Sequence, residues 1–177
     1  DLARVSDTEA FRRHMGGYFR DRFAAMPANA RRSQVLFISP YPICPPVHGG
    51  GVFMHQTLGE LVKHADVHLI ALLDRPEEIA AHEELSSKCA SAEFLIRMEG
   101  RSKAFGSIKP NAVSEFNSSD LSWLVHRQIL TRAIDVIQLE YTPMAQYAGE
   151  FERIPCILFE HDVYFQSIGR GLGSSKS

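Results

Sequence analysis

The residues best suited to bind a ligand form one short run between a predicted strand and a predicted helix. A buried-strand pattern covers 34–39, and an amphipathic helical pattern covers 53–64. Glycines between a strand and a helix leave backbone amides at the helix N-terminus open to an anion or a sugar hydroxyl. The same run could equally form only a sharp corner, because glycine runs are weak signals. The candidate binding residues in this run are His48, Gly49, Gly50 and Gly51.

Two further polar clusters follow predicted strands. Glu140 and Tyr141 come after the fourth strand, and Glu160, His161 and Asp162 come after the fifth. In open α/β sheets ligands bind outside the carboxyl ends of the strands, so both clusters are expected on the same edge as the glycines. The His161 imidazole could bind a sugar hydroxyl or a phosphate, or it could simply cap the strand. Glu140 could accept hydrogen bonds from sugar hydroxyls, or form a salt bridge or a helix-cap contact.

Spacing excludes several common kinds of site. The dinucleotide fingerprint G-x-G-x-x-G is absent, and about ten residues between strand and helix are too many for its tight turn. No Gly-Lys-Ser/Thr follows the glycines, which excludes a P-loop. His64 and His68 are four residues apart, but Asp66 separates the helix from the strand, so they are not expected to bind zinc. We therefore predict neither a metal site nor a bound cofactor.

Alternating strand and helix patterns predict the fold. The strands read as near-continuous apolar runs, which is typical of parallel strands covered on both faces. The sequence thus predicts an α/β, Rossmann-like, doubly wound parallel sheet with a long loop at 99–119. The predicted strands are 34–39, 67–73, 93–98, 135–140 and 156–160, and the predicted helices are 1–24, 53–64, 74–88, one capped by Ser119 or Asp120, and 143–150.

Composition limits the class of protein. An apolar fraction of 45% and 177 residues suit one globular domain at 34–170, preceded by a helix and linker at 1–33. A tail at 171–177 follows, and both ends look cut. The net charge of −2 argues against nucleic-acid binding. No transmembrane segment or signal peptide is predicted, and three widely spaced cysteines fit a reducing compartment, so we expect a cytoplasmic protein.

An ordered series of segments resembles the N-terminal, acceptor-side domain of glycosyltransferases of the GT-B fold, family 4 type. The series covers roughly 34–168, and its order is more specific than any single motif. It consists of Val35-Leu-Phe-Ile-Ser-Pro-Tyr-Pro, Pro-Pro-Val-His-Gly-Gly-Gly51, Asp66-Val-His-Leu-Ile-Ala-Leu-Leu, Asp135-Val-Ile-Gln-Leu-Glu-Tyr, Met144-Ala-Gln-Tyr and Ile157-Leu-Phe-Glu-His-Asp.

The resemblance implies transfer of a sugar from a nucleotide-sugar, which is a co-substrate, to a carbohydrate or lipid-linked acceptor. Such transfer is generally retaining and metal-independent. The resemblance places the glycine run near the donor diphosphate and the acceptor, and makes His161 the candidate catalytic residue near the transferred sugar. Glu140, Tyr141 and Asp162 would then be substrate-binding residues. The enzyme would work in the cytoplasm or at the inner face of a membrane.

The donor-binding domain of this family is not present in the sequence. We therefore expect it elsewhere in the same polypeptide, and we expect the isolated chain to be inactive and to be able to self-associate through its open cleft face. Two alternatives remain open: a non-catalytic Rossmann-like binding or interaction module, and half of a GT-B-type sugar epimerase. A second α/β domain with a paired-glutamate motif would favour an enzyme, whereas a natural stop near Ser177 would favour the module.

Overall fold

A computed structural model describes residues 31–97, 111–148 and 154–160. From Ser33 onward these residues belong to one compact unit. The helix predicted at 1–24 and the tail predicted at 171–177 lie outside the described residues.

The described residues form a five-stranded parallel sheet with the order β3-β2-β1-β4-β5. Strand β1 is central: its Gln34 pairs with Asp66 of β2, and its Val35 pairs with Val136 of β4. The parallel pairing and this strand order confirm the Rossmann-like α/β fold predicted from the sequence. The strands are β1 Gln34–Ser39, β2 Asp66–Leu73, β3 Ser91–Ile96, β4 Val136–Glu140 and β5 Cys156–Phe159.

Helices cover both faces of this sheet. The helices are α1 Gly49–His64, α2 Glu78–Ala81, α3 Glu83–Ser87, α4 Asn111–Glu115 and α5 Ser119–Arg132, with a 3₁₀ helix at Thr142–Tyr147. On one face, Met54 and Leu58 of α1 join Phe37 of β1 in a buried cluster. The alternation of side chains along β1 sends Leu36 to the other face, where α5 packs. The inward face predicted for α5 is confirmed, because its four apolar residues are buried: Leu121, Leu124, Val125 and Ile129.

Several predicted boundaries were wrong by a few residues. Helix α1 begins at Gly49 rather than near 53, because the His48 side chain caps it and accepts a hydrogen bond from Gly51. Strand β3 begins at Ser91, two residues earlier than predicted, because Ser91 pairs with His68 of β2. The helix predicted at 74–88 is two short helices, α2 and α3, separated at His82.

The predicted loop at 99–119 contains a helix. Residues 111–115 form α4. Helix α5 is capped by Ser118 rather than by Ser119 or Asp120 as predicted, because the Ser118 hydroxyl accepts a hydrogen bond from the Leu121 amide at 3.3 Å. Residues 98–110 lie outside the described part of the chain. After β4, the predicted helix at 143–150 is the 3₁₀ helix, with Pro143 in its first turn.

A buried polar chain ties the amino ends of the strands together. His68 contacts Ser91 Oγ through Nδ1 at 2.7 Å and Gln34 Oε1 through Nε2 at 2.9 Å. The Gln34 amide nitrogen donates to Asp66 Oδ2 at 2.9 Å, and the Gln34 backbone amide donates to Asp135 Oδ2 at 2.8 Å. Since Gln34 Oε1 is an acceptor, Nε2 of His68 carries the proton and Nδ1 accepts from Ser91. These contacts fix the relative register of β1, β2 and β3.

This arrangement makes stability depend on pH through His68. Burial, reinforced by Arg132 and opposed by Asp66, lowers the pKa of His68, so the folded protein binds this proton less readily than the unfolded chain. The stability contributed by neutral His68 is therefore present above the unfolded pKa and lost as pH falls below it. Between about pH 7.5 and about pH 5, His68→Gln should lose less unfolding free energy than wild type, as measured by urea titration. An equal pH dependence of the unfolding free energy in His68→Gln and in wild type would contradict this assignment.

The end of α5 gives a second stability prediction. Ala133 has left-handed backbone angles, φ 54° and ψ 48°, which favour glycine. Ala133→Gly should therefore raise the free energy of unfolding by about 1 kcal/mol in urea titration. Ala148→Gly is the matched control, because Ala148 ends the 3₁₀ helix with φ −76° and glycine there should destabilise by up to about 1 kcal/mol. The same sign of effect at both positions would contradict the conformational argument.

Candidate functional site

The strand order places a topological switch point between β1 and β4, the position where open α/β sheets have a crevice. The chain leaves β1 toward β2 and leaves β4 toward β5, so the two connections diverge at the carboxyl ends of these neighbouring strands. Ligands of open α/β sheets bind at such a switch point. The residues that follow the strands at this edge are Tyr41 after β1, Asp74 after β2, Arg97 after β3, Tyr141 after β4 and Glu160 after β5.

The glycine run forms the first turn of α1. His48 is the N-cap, with extended backbone angles, and its Nδ1 accepts a hydrogen bond from the Gly51 amide at 3.0 Å. This bond leaves Nε2 of the exposed ring directed away from that contact. Within the described part of the chain, no acceptor contacts the amides of Gly49 and Gly50. Two donors at a helix N-terminus, where the dipole favours negative charge, are thus open to a ligand.

Neither conformation nor packing explains why Gly49 and Gly50 are glycines. Neither has a left-handed φ, a Cβ on Gly49 would meet no atom within 4 Å, and a Cβ on Gly50 would meet only the His48 ring at 3.6 Å. Glycine inside a helix costs up to about 1 kcal/mol relative to alanine. Gly51 differs, because a Cβ there would lie 3.3 Å from the capping ring. Gly49 and Gly50 therefore leave the surface open at a cost in stability, which is typical of places where a ligand approaches the backbone closely.

An aromatic stack brings the start of α1 to the end of β5. Phe53, two residues after Gly51, stacks on Phe159 with ring centroids 4.2 Å apart. The Thr142 hydroxyl donates to Glu160 Oε1 at 3.1 Å and joins the end of β4 to the end of β5. The glycine run and the end of β5 therefore lie at the same edge of the sheet, as predicted from the sequence. His161 and Asp162, which follow directly, lie outside the described residues.

Glu140 is placed differently from the open carboxylate that the sequence suggested. Its side chain is completely buried, and the Gln138 amide donates to its Oε1 at 2.6 Å. The alternation along β4 puts Glu140 on the face that α1 covers, beside Ser39 of β1. The Glu140 carboxylate therefore lies in the interior beneath α1 and does not face solvent.

Tyr141, by contrast, faces the switch point. Its backbone has φ 81° and ψ 133°, an unusual conformation for a residue with a side chain, and its amide donates to the Phe159 carbonyl at 2.8 Å. Such strain costs on the order of 1–3 kcal/mol and clusters at functional sites. The turn directs the Tyr141 ring to Tyr41 and Phe116, at centroid distances of 5.7 Å and 5.8 Å.

Arg97 completes an aromatic cluster, which we define as Tyr41, Arg97, Phe116 and Tyr141. Its guanidinium carbon lies 5.3 Å from the Tyr41 ring centroid and 5.8 Å from the Phe116 ring centroid, close enough for cation–π attraction. Nε and Nη2 both donate to Asp74 Oδ1, with Nε at 2.8 Å. The Asp74 carboxylate thus holds the guanidinium close to both rings at the carboxyl edge.

The Tyr41 hydroxyl is kept protonated in this cluster. Burial, followed by Tyr141 and Glu115, raises the pKa of Tyr41 well above its usual value, against the opposing charge of Arg97. The cluster therefore offers neutral hydroxyls on aromatic faces, which suit the hydroxyls and apolar faces of a sugar ring.

The sequence reasoning missed three members of this cluster: Tyr41, Arg97 and Phe116. The prediction that the third strand runs to residue 98 hid Arg97 inside a strand, whereas β3 ends at Ile96. Phe116 fell within the predicted loop. Tyr41 was recognisable, because it stands just after β1 at the expected edge.

Other site types find no support in the residues at 31–97, 111–148 and 154–160. No group of three or more histidines, cysteines or acidic residues there could hold a metal ion. No helix in the same segments has both the length and the apolar composition needed to cross a membrane.

Comparison with known proteins gives no family. No protein-family model matches the chain, and no curated protein matches it significantly. The resemblance to family-4 glycosyltransferases therefore stays a prediction, and functional reasoning depends on the site itself.

The open glycines give a direct test of the site. Gly49→Ala and Gly50→Ala should leave the free energy of unfolding unchanged or raise it by up to about 1 kcal/mol, since a methyl group fits and favours the helix. Gly51→Ala should gain less, because the added methyl group presses on the His48 ring. Urea titration measures all three, with Gly59→Ala, also in open space within α1, as the control. A loss of more than about 1 kcal/mol at Gly49 or Gly50 would mean that the fold itself requires these glycines.

Proposed function

We propose that this chain is the acceptor-side domain of a GT-B fold, family-4-type glycosyltransferase. In this proposal the domain forms one wall of a cleft, and a second α/β domain of the same polypeptide binds the nucleotide-sugar. The reaction transfers a sugar to a carbohydrate or lipid-linked acceptor in the cytoplasm or at the inner face of a membrane. No cofactor or metal takes part.

The observation that carries the proposal is the open first turn of α1. Gly49 and Gly50 have room for a Cβ yet carry none, and their amides are open at a helix N-terminus near the switch point. A diphosphate or a sugar hydroxyl is the kind of group that such a surface accepts at close range. Because the spacing of a dinucleotide fingerprint is absent, a nicotinamide cofactor is a poorer candidate.

The aromatic cluster supports a sugar acceptor at the same edge. Tyr41 and Tyr141 offer hydroxyls and ring faces on either side of the β1–β4 crevice. A buried or half-buried tyrosine pair can hydrogen-bond sugar hydroxyls while its rings cover the apolar face of the sugar. In this proposal the cluster binds the acceptor, and the glycine run approaches the donor diphosphate.

The remaining predicted residues take roles from the resemblance. His161 acts near the transferred sugar, and Asp162 contacts substrate beside it. Glu140 stabilises the residues around the crevice from beneath α1, since its carboxylate is buried. His48 caps the helix through Nδ1 and can offer Nε2 to a ligand.

A transfer assay tests the proposal. The full polypeptide encoded by the gene is supplied with radiolabelled UDP-, GDP- and ADP-sugars and an extract of glycans and lipids, and label in the acceptor fraction is measured. Transfer is expected, and the 177-residue chain alone should give none, because it lacks the donor wall. Epimerisation without transfer would replace the proposal with the epimerase alternative, and a gene that ends near Ser177 would replace it with the binding module.

Variants connect that activity to the glycine run. Gly50→Val should reduce transfer on the order of 100-fold, because its branched side chain obstructs ligand approach while the helix remains folded. Gly59→Ala adds a methyl group to the same helix away from its N-terminus and should keep wild-type transfer. Circular dichroism and urea titration confirm folding for both. Full transfer by Gly50→Val would remove the glycine run from the site.

A further inference from the structure

His82 stands between α2 and α3 and reaches a different part of the chain. It is completely buried, and its Nε2 accepts hydrogen bonds from the backbone amides of Ile43 at 2.8 Å and Cys44 at 3.0 Å. Its Nδ1 contacts the Glu78 carbonyl oxygen at 2.8 Å. The ring thus ties the connection between β1 and α1 to a segment 38 to 39 residues further along the chain.

These partners determine the protonation state of the ring. A carbonyl oxygen only accepts, so Nδ1 carries the proton, and two amide hydrogens require a lone pair on Nε2. The ring must therefore be neutral, with the proton on Nδ1.

The two amides held by His82 belong to the segment that leads to the glycine run. Ile43 and Cys44 are buried in the α1-face cluster together with Met54. After them the segment moves to the surface: Val47 is 79% exposed, and only four residues separate Cys44 from Gly49. Over the path from β1 to α1, His82 therefore makes the side-chain contacts that fix the buried half of the connection.

We propose that His82 is a positioning residue for the glycine run: its neutral ring holds the Ile43 and Cys44 amides and thereby sets where the first turn of α1 lies at the switch point. The importance of this placement for a ligand rests on the proposed function. The placement itself does not, and it can be tested without any ligand.

Hydrogen exchange resolved by residue tests the proposal on the 177-residue chain. His82→Leu places an apolar side chain of similar size at this position and removes the Nε2 acceptor. It should speed amide exchange at Ile43, Cys44 and Gly51 by at least about tenfold more than at Leu36 and Ile70 in the sheet, because two buried donors lose their partner. His82→Gln, whose Oε1 can replace Nε2 as an acceptor, should restore slow exchange in large part.

The control separates local positioning from general destabilisation. Ile129→Ala removes buried volume on the opposite face of the sheet and should speed exchange at all these amides to a similar extent. If His82→Leu gives that same uniform pattern, or if Gln fails to rescue while the protein folds, His82 is only a core residue and the proposal is wrong.

A measurement on the unaltered protein covers the case in which the variants do not fold. Nitrogen-15 NMR of the His82 ring should show a protonated Nδ1 and an unprotonated Nε2 in slow exchange with solvent. A protonated Nε2 in the folded protein would overturn the proposal. Absence of sugar transfer in the full polypeptide would overturn the proposed function but would leave this result unchanged.

Discussion

The central position of β1 between β2 and β4 is the constraint on which the rest of the structure depends. Pairing with β2 and β4 covers both edges of β1, while α1 and α5 cover its two faces. The strand order makes the chain leave β1 and β4 in opposite directions. The crevice at the switch point follows from that geometry, whatever binds there. The amino ends are held by the His68 chain of hydrogen bonds, while the carboxyl ends carry the glycine run, the aromatic cluster and the strained Tyr141. Contacts at the amino ends of the strands thus fix their register, whereas the carboxyl ends remain open to a ligand.

Much of the fold was predictable because its causes are local. Near-continuous apolar runs define parallel strands, and the inward face of α5 follows from its helical period. The site was less predictable, because contacts distant in sequence decide it. The burial of Glu140 depends on α1 lying over β4, and the position of Arg97 depends on the register of β3 against β2. Nothing in the sequence near His82 indicates that its ring holds the amides of Ile43 and Cys44.

Two local costs at the carboxyl edge point in the same direction. Tyr141 adopts a strained backbone, and the glycines weaken the start of α1 without any packing reason. Local preference is followed at the Ser118 cap of α5 and at Pro143 in the 3₁₀ helix, whereas Ala133 has left-handed angles before the amino end of β4. The costs at Tyr141 and at the glycine run are of the kind expected where function selects against local stability.

Within the proposed function, the charges at this edge suit binding of the acceptor better than binding of the donor. In the described residues Arg97 is paired with Asp74, and Arg75 is paired with Glu78, so each of these cations already has a carboxylate partner. The first turn of α1 then supplies only about half a positive charge through the helix dipole. A donor diphosphate carries more negative charge than that surface can neutralise, so tight donor binding needs cations beyond these described ones. In the proposed function a neutral sugar acceptor has no such need, because the tyrosine hydroxyls and the open amides can hydrogen-bond its hydroxyls.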